Sequence, residues 1–165
     1  MSQNLFAPNA VFFTEKQARN EIFEEVYQKL LKLNYVKGNF LDNVIQRENT
    51  YPTGIDTSPI SGELANVAIP HTEGEFVNTR LIVPIALKYP VKFNNMIDPS
   101  QELEVKFLFM ILNNDPEGQA NILAQIMDFL ASTSVLQLNK LFNLTDTNKI
   151  YEFLSENFKQ KVEAI

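Results

Sequence analysis

The chain has 165 residues, 45% of them hydrophobic and 13 of them phenylalanine, which is enough for one domain with a substantial core and short for two. Its 14 basic and 20 acidic residues give a formal net charge of -6 spread along the chain, so no cationic surface offers itself to nucleic acid or anionic lipid. No cysteine is present, which excludes a disulfide framework, a thiolate nucleophile and cysteine-ligated zinc, and fits a reducing compartment.

Residues 1–13 carry no basic segment, and Pro8 and Asn9 break their apolar stretch, so they do not read as a signal peptide. Thr14 and Gln17 have the spacing of a capping box, in which each side chain satisfies a backbone N–H left unpaired by the first helical turn. The spacing of Ala18, Ile22, Val26, Leu30 and Leu33 then predicts an amphipathic helix from Thr14 to about Leu33, with Glu21, Glu24, Glu25, Lys29 and Lys32 between the apolar positions. Phe40, Leu41, Val44 and Ile45 predict a shorter helix ending near Arg47 and Glu48. The Tyr51-Pro52-Thr53-Gly54 turn follows it.

The middle of the chain changes character. The apolar, β-branched and aromatic runs at 81–87 and 105–112 predict buried strands, with Pro84 placing the first at an edge or at a bulge. Both runs are far shorter than a membrane span, and the expectation is a soluble cytoplasmic protein without direct membrane insertion. After them Asp115 can cap and Pro116 can take the first position of a helix carrying Ile122, Leu123, Ile126, Met127 and Leu130. Ser132 or Ser134 opens the next helical segment, to Leu141, and Thr145 or Asp146 caps a last helix with Ile150, Phe153, Leu154 and Phe158 on one side. Helices at both ends with strands between them predict an α/β fold: one domain over 1–165, a sandwich with helices covering both faces of a mixed β-sheet.

The only histidine, His71, closes the phrase Val67-Ala68-Ile69-Pro70-His71 and is followed by the turn-forming Thr72-Glu73-Gly74. A neutral imidazole is a good nucleophile near neutral pH, and ligands of open α/β sheets gather at strand ends. A histidine that accepts a phosphoryl group needs fixed donors for its three equatorial oxygens, which arginine and the N–H groups of tight turns supply. Of the arginines, Arg19 reads as a solvated charge on the first helix, Arg80 as a strand-start residue in a surface ion pair or in reach of the site, and Arg47 as the candidate beside the Tyr51–Gly54 turn. Glu48 either orients Arg47 or the imidazole, or is a solvated carboxylate. A serine hydrolase with His71 as base finds no Gly-x-Ser-x-Gly elbow, and neither Ser61 nor Ser132 has the strand-turn-helix context. With one histidine and no carboxylate cluster in view, no metal or cofactor is expected.

Arg47-Glu48, Tyr51-Pro52-Thr53-Gly54-Ile55 and Val67-Ala68-Ile69-Pro70-His71, in this order with the strands and helix after them, resemble the signature of enzyme IIA components of the sugar phosphotransferase system. The likeness is to the fructose/mannitol superfamily, closest to its galactitol-type branch, and spans nearly the whole chain. The resemblance implies the mannitol/fructose-type IIA fold, with His71 as a carrier that takes phosphoryl from phospho-HPr and passes it to the cysteine of a IIB partner. It likewise implies that Arg47 neutralises the phosphate. Glu48, Thr53, Gly54, Thr72 and Gln119 are further candidates for contact with the phosphate or support of the site. Gln119 stands where mannitol- and fructose-type members carry a second histidine, a departure that the galactitol-type branch tolerates. A rim of Ile69, Phe76 and Val77 would suit protein docking, and all three can equally be core residues. The alternative is a regulatory IIA-like module whose phosphorylation state controls a protein partner.

Overall fold

The computed structural model describes residues 5–158, so the first four residues of the stretch read as lacking a signal peptide lie outside the described residues. Strand formation is dictated most plainly by the long apolar run of β5 (Glu102–Asn113), whose side chains alternate between two cores. Phe107, Phe109 and Ile111 enter one; Leu108, Met110 and Leu112 enter the other. Its antiparallel neighbour β4 (Arg80–Asn94) does the same, sending Leu81, Val83 and Ile85 to one side and Ile82 and Ala86 to the other. A sheet apolar on both faces must be covered on both.

The cover on the first face is α1 (Arg19–Lys32) and α2 (Phe40–Thr50), which contribute Ile22, Phe23, Val26, Leu30, Phe40 and Val44. On the second it is α3 (Gln119–Ser132), α4 (Val135–Phe142) and α5 (Thr147–Asn157), through Ile122, Ile126, Leu138, Leu141, Ile150 and Leu154. Three further strands complete the sheet, β1 (Phe12–Thr14), β2 (Gly54–Ile55) and β3 (Asn66–Ala68), in the order β1-β4-β5-β3-β2. β1 and β3 run parallel to their neighbours β4 and β5, while the β4–β5 and β2–β3 pairs are antiparallel. The predicted mixed sheet with helices on both faces is therefore present.

The entry to α1 differs from expectation. Thr14 is not a helix cap; it ends β1, its hydroxyl donates to Glu25 at 3.0 Å, and α1 begins at Arg19 after Ala18 with no side-chain cap. Pairing of Phe12, Phe13 and Thr14 with Ile85, Ala86 and Leu87 satisfies the backbone and buries Phe12, which outweighs the local capping pattern. The later caps stand as read. Asp115, Ser134 and Asp146 each accept a backbone N–H at the start of the helical turns they precede.

Pro84 also sits otherwise than an edge strand would have it, because β4 lies between β1 and β5. Ile82 gives its N–H to the Leu5 carbonyl, so the nitrogen of Pro84, two residues on, turns toward the same side, just short of the first β1 pair at Ile85. The expected bulge comes later: Ala86 pairs with Phe107 and Val91 with Val105, so on the β5 side residues 87–90 of β4 stand opposite Lys106 alone, whose ammonium donates to the Leu87 carbonyl. Beyond this bulge the hairpin returns to the far strand of the sheet. Gly54 bridges to Asn95, and its carbonyl accepts from Met96 N–H at 2.8 Å.

This close approach makes Gly54 a structural residue. A Cβ there would lie 2.6 Å from the Asn94 carbonyl oxygen and 3.2 Å from its carbon, both backbone atoms that cannot swing aside. Gly54→Ala is expected to cost about 1–3 kcal/mol by forcing the hairpin away from β2. A urea titration of the variant checks this by a lower unfolding midpoint.

Candidate functional site

β3 carries the chain toward His71 and is fixed on both sides as it ends. Ile69 N–H donates to the Thr53 carbonyl at 3.2 Å, the Pro70 carbonyl accepts from Ile111 N–H at 3.0 Å, and His71 itself bridges to Ile111 of β5. Ile69 and Pro70 are buried, and His71 is half-buried where the chain leaves the sheet. The loop beyond it is strapped down as well: Lys37 N–H donates to Phe76 O, Asn78 N–H to Tyr35 O and Asn114 N–H to Thr79 O. The imidazole thus stands on a braced platform.

Its Nδ1 lies 2.9 Å from the Ile69 carbonyl oxygen. A carbonyl only accepts, so this contact assigns the proton to Nδ1 and leaves the lone pair on Nε2. Burial pushes the imidazole pKa below its usual 6.5, the nearby Arg47 charge pushes the same way, and the Ile69 hydrogen bond opposes them. The ring is therefore neutral and nucleophilic at neutral pH.

The sign of this shift has a measurable consequence. The midpoint for loss of the neutral ring on acidification therefore lies below the ordinary imidazole value of about 6.5, so if the ring is the nucleophile the acidic limb of its pH–rate profile is expected to have its midpoint below that of a free histidine. Single-turnover rates measured on the acidic side of neutrality check it.

Arg47 lies in the last turn of α2 and points its guanidinium toward the loop after His71. Its Nη1 is 3.4 Å from Glu73 Oε1, and its Cζ sits 5.4 Å from the centre of the Tyr51 ring. The pair with Glu73 is solvent-accessible, with side-chain exposures of 30% and 59%, so it holds the arginine loosely and leaves it open to a more highly charged anion. Glu73 was not among the residues singled out from the sequence; an acid two positions after the histidine was the available signal.

Glu48 is no solvated carboxylate. It is 3% exposed and accepts the Thr53 N–H at 2.6 Å and the Thr53 hydroxyl at 2.8 Å. Burial pushes its pKa up, against these hydrogen bonds and the Arg19 charge. The N–H, hydroxyl and carbonyl of Thr53 are all engaged, so Thr53 braces the neighbouring strand end and offers no free donor. Arg19 is likewise not merely solvated, since its Nη2 donates to Asn49 Oδ1 at 2.6 Å and ties α1 to the end of α2.

The remaining candidates divide. The Thr72 hydroxyl is buried and donates to the Glu73 carbonyl, fixing the first step of the loop, and Gly54 serves the sheet. Gln119 opens α3 beyond β5, the strand that bridges to His71, and its Oε1 accepts from Asn113 Nδ2 at 3.1 Å. Arg80 makes no ion pair among the described residues; its guanidinium lies against Gly118, with Nε buried. Ile69 and Val77 are core residues and Phe76 packs partly against the core, so they do not form an exposed rim. Among the described residues there is no group of three or more His, Cys, Asp or Glu side chains that could hold a metal ion. No helix among them is long and apolar enough to cross a membrane.

Comparison with known proteins gives a family and a fold. The family described as "Phosphoenolpyruvate-dependent sugar phosphotransferase system, EIIA 2" matches residues 4–157. No curated protein sequence matches the chain. Among solved structures the fold is similar to IIA mannitol from Escherichia coli, with TM-score 0.67 and 18% identity over 90% of this chain and 98% of that one. It is similar to the complex of enzyme IIA-mannitol and phosphorylated enzyme IIB-mannitol from Escherichia coli, with TM-score 0.66 and 20% identity over 93% and 98%. A provisionally named IIA domain from Streptococcus pyogenes M1 GAS gives TM-score 0.69 and 19% identity over 92% and 93%. At these identities the likeness establishes the fold.

Proposed function

Because the chain belongs to the EIIA 2 family of the phosphoenolpyruvate-dependent sugar phosphotransferase system, whose members are phosphotransferase components carrying a phosphohistidine, we propose that His71 is its phosphate carrier. One observation carries the reading: the only histidine of the chain stands half-buried at the end of β3 with Nδ1–H held by Ile69 and the Nε2 lone pair unused by any donor among the described residues.

The step balances without moving a proton. The Nε2 lone pair of His71 forms the new N–P bond as the bond between phosphorus and the donor's imidazole nitrogen breaks, and the electron pair stays with the donor, phospho-HPr. Because Nδ1 keeps its proton, the phosphorylated ring carries positive charge, which the Ile69 carbonyl oxygen stabilises at 2.9 Å. That charge also prepares the onward step. When a cysteine thiolate of the IIB component attacks, the N–P bond breaks and the leaving group is a neutral imidazole with its Nδ1 proton still in place. Arg47 supplies the planar fork for the transferring oxygens, exchanging its loose pair with Glu73 for the phosphoryl group.

The finer reading is a galactitol-type transporter component, supported by the Tyr51-Pro52-Thr53-Gly54-Ile55 phrase and by Gln119 in place of a second imidazole. A cytoplasmic location and docking to HPr and IIB belong to the same proposal, as does one phosphocarrier domain over 1–165. The test is transfer. Protein labelled from phosphoenolpyruvate, enzyme I and HPr is expected to lose its acid-labile phosphate to a cognate IIB; label retained on the protein while an HPr control discharges would favour the regulatory alternative.

A further inference from the structure

Hydrogen bonds around His71 continue well beyond the ring. The Nδ1 proton goes to the Ile69 carbonyl at 2.9 Å, Ile69 N–H goes to the Thr53 carbonyl at 3.2 Å, and the N–H and hydroxyl of Thr53 go to the two oxygens of Glu48 at 2.6 and 2.8 Å. Glu48, Thr53 and Ile69 are 3%, 4% and 0% exposed, so water does not compete for these links. Prolines stiffen the path at both ends. Pro52 precedes Thr53 with a fixed φ, and Ile69, standing before Pro70, is confined to extended backbone.

We propose that Glu48 is a positioning residue of the phosphoryl relay: its buried carboxylate fixes Thr53, Thr53 fixes Ile69, and the Ile69 carbonyl holds His71 as the Nδ1–H tautomer with Nε2 turned to the incoming phosphorus. The proposal rests on the reading of His71 as the acceptor. A histidine ring without such a partner samples both tautomers, and the other one carries its proton on Nε2, where no phosphoryl group can then bond. A carboxylate suits the place because two acceptor oxygens meet two donors of one residue. Neighbouring positions on α2 thereby do separate tasks, since Arg47 faces the loop and the phosphate while Glu48 turns inward as a brace.

The lone histidine makes the test direct, because nitrogen NMR of the imidazole reports a single ring. The wild-type protein is expected to show protonated Nδ1 and bare Nε2. Glu48→Ala is expected to show a mixture of tautomers and to slow phosphoryl acceptance by about 10- to 100-fold, the scale of a modest misplacement of a reacting group. Glu48→Gln can still accept the Thr53 N–H and donate to its hydroxyl, so it is expected to restore the single tautomer and most of the rate. Thr53→Val removes one of the two links and covers the case in which Glu48→Ala does not fold; a measurable second tautomer with a smaller loss of rate is expected.

Wild-type ring shifts and rate in Glu48→Ala, or in Thr53→Val where the alanine variant does not fold, would overturn the proposal. A Glu48→Gln protein as impaired as the alanine variant would overturn it too, by showing that the charge and not the hydrogen bonding matters. The ring spectrum needs no partner protein, so failure of the brace appears there, whereas failure of the carrier reading appears as labelling of the His71→Ala variant.

Discussion

Replacing His71 by alanine is expected to reduce phosphoryl acceptance from phospho-HPr to background while leaving the fold in place. The argument is one of elimination and geometry together. No second imidazole and no thiol exists in the chain to take over the nucleophile's work. Stability is expected to survive because His71 is only half-buried and gives its one structural hydrogen bond to Ile69, a link worth about 0.5–1.5 kcal/mol net. Acid-labile labelling by phosphoenolpyruvate, enzyme I and HPr measures the first effect and thermal unfolding the second. Persistent labelling of this variant would place the phosphate elsewhere.

Arg47→Ala is expected to lower the transfer rate by roughly 100-fold, the cost of removing one preorganised donor from a developing anionic charge. Its stability is expected to change little, since an exposed pair of this kind, here Nη1 to Glu73 at 3.4 Å, contributes about 0–1 kcal/mol. The contrast separates a charge that serves the reaction from one that serves the fold. A second signature follows from electrostatics: the arginine helps hold the His71 pKa down, so its removal is expected to move the acidic limb of the pH–rate profile toward higher pH. Arg47→Lys keeps the charge and loses the planar fork, and partial recovery of the rate is expected. An unchanged rate in Arg47→Ala would transfer the role to Arg80 or to backbone donors.

What the sequence disclosed about this site depended on how far each residue's role was local. His71 and Arg47 stand out as candidates because their types are scarce in this chain and their chemistry is particular. Glu48 reads from the sequence either as an orienting residue or as a solvated carboxylate, and only the loop five residues on, folding back to offer it two donors from Thr53, decides that it is buried and engaged. The Ile69 carbonyl, which settles the tautomer, is a backbone atom with no sequence signature at all. The same division runs through the fold. Caps at Asp115, Ser134 and Asp146 act over two or three residues and stood as read. β1 exists only through parallel pairing with a strand more than seventy positions away, and a plausible capping box at Thr14 masked it.

The far half of β4 shows the same effect, since the apolar run that predicts the strand ends at 87 while tertiary pairing carries the strand through a bulge to Asn94. Here Lys106 offsets the irregularity by satisfying the Leu87 carbonyl. Gly54 was noticed for its place in a turn phrase, and the structure gives a steric reason for it instead, the backbone of Asn94 at its α-carbon.

The most direct measurement is phosphorus and nitrogen NMR of the wild-type protein labelled through phosphoenolpyruvate, enzyme I and HPr. One phosphoramidate signal coupled to Nε2 of the lone imidazole, with Nδ1 still protonated, is the expected result. A phosphate on Nδ1, or on any residue other than His71, would contradict the account.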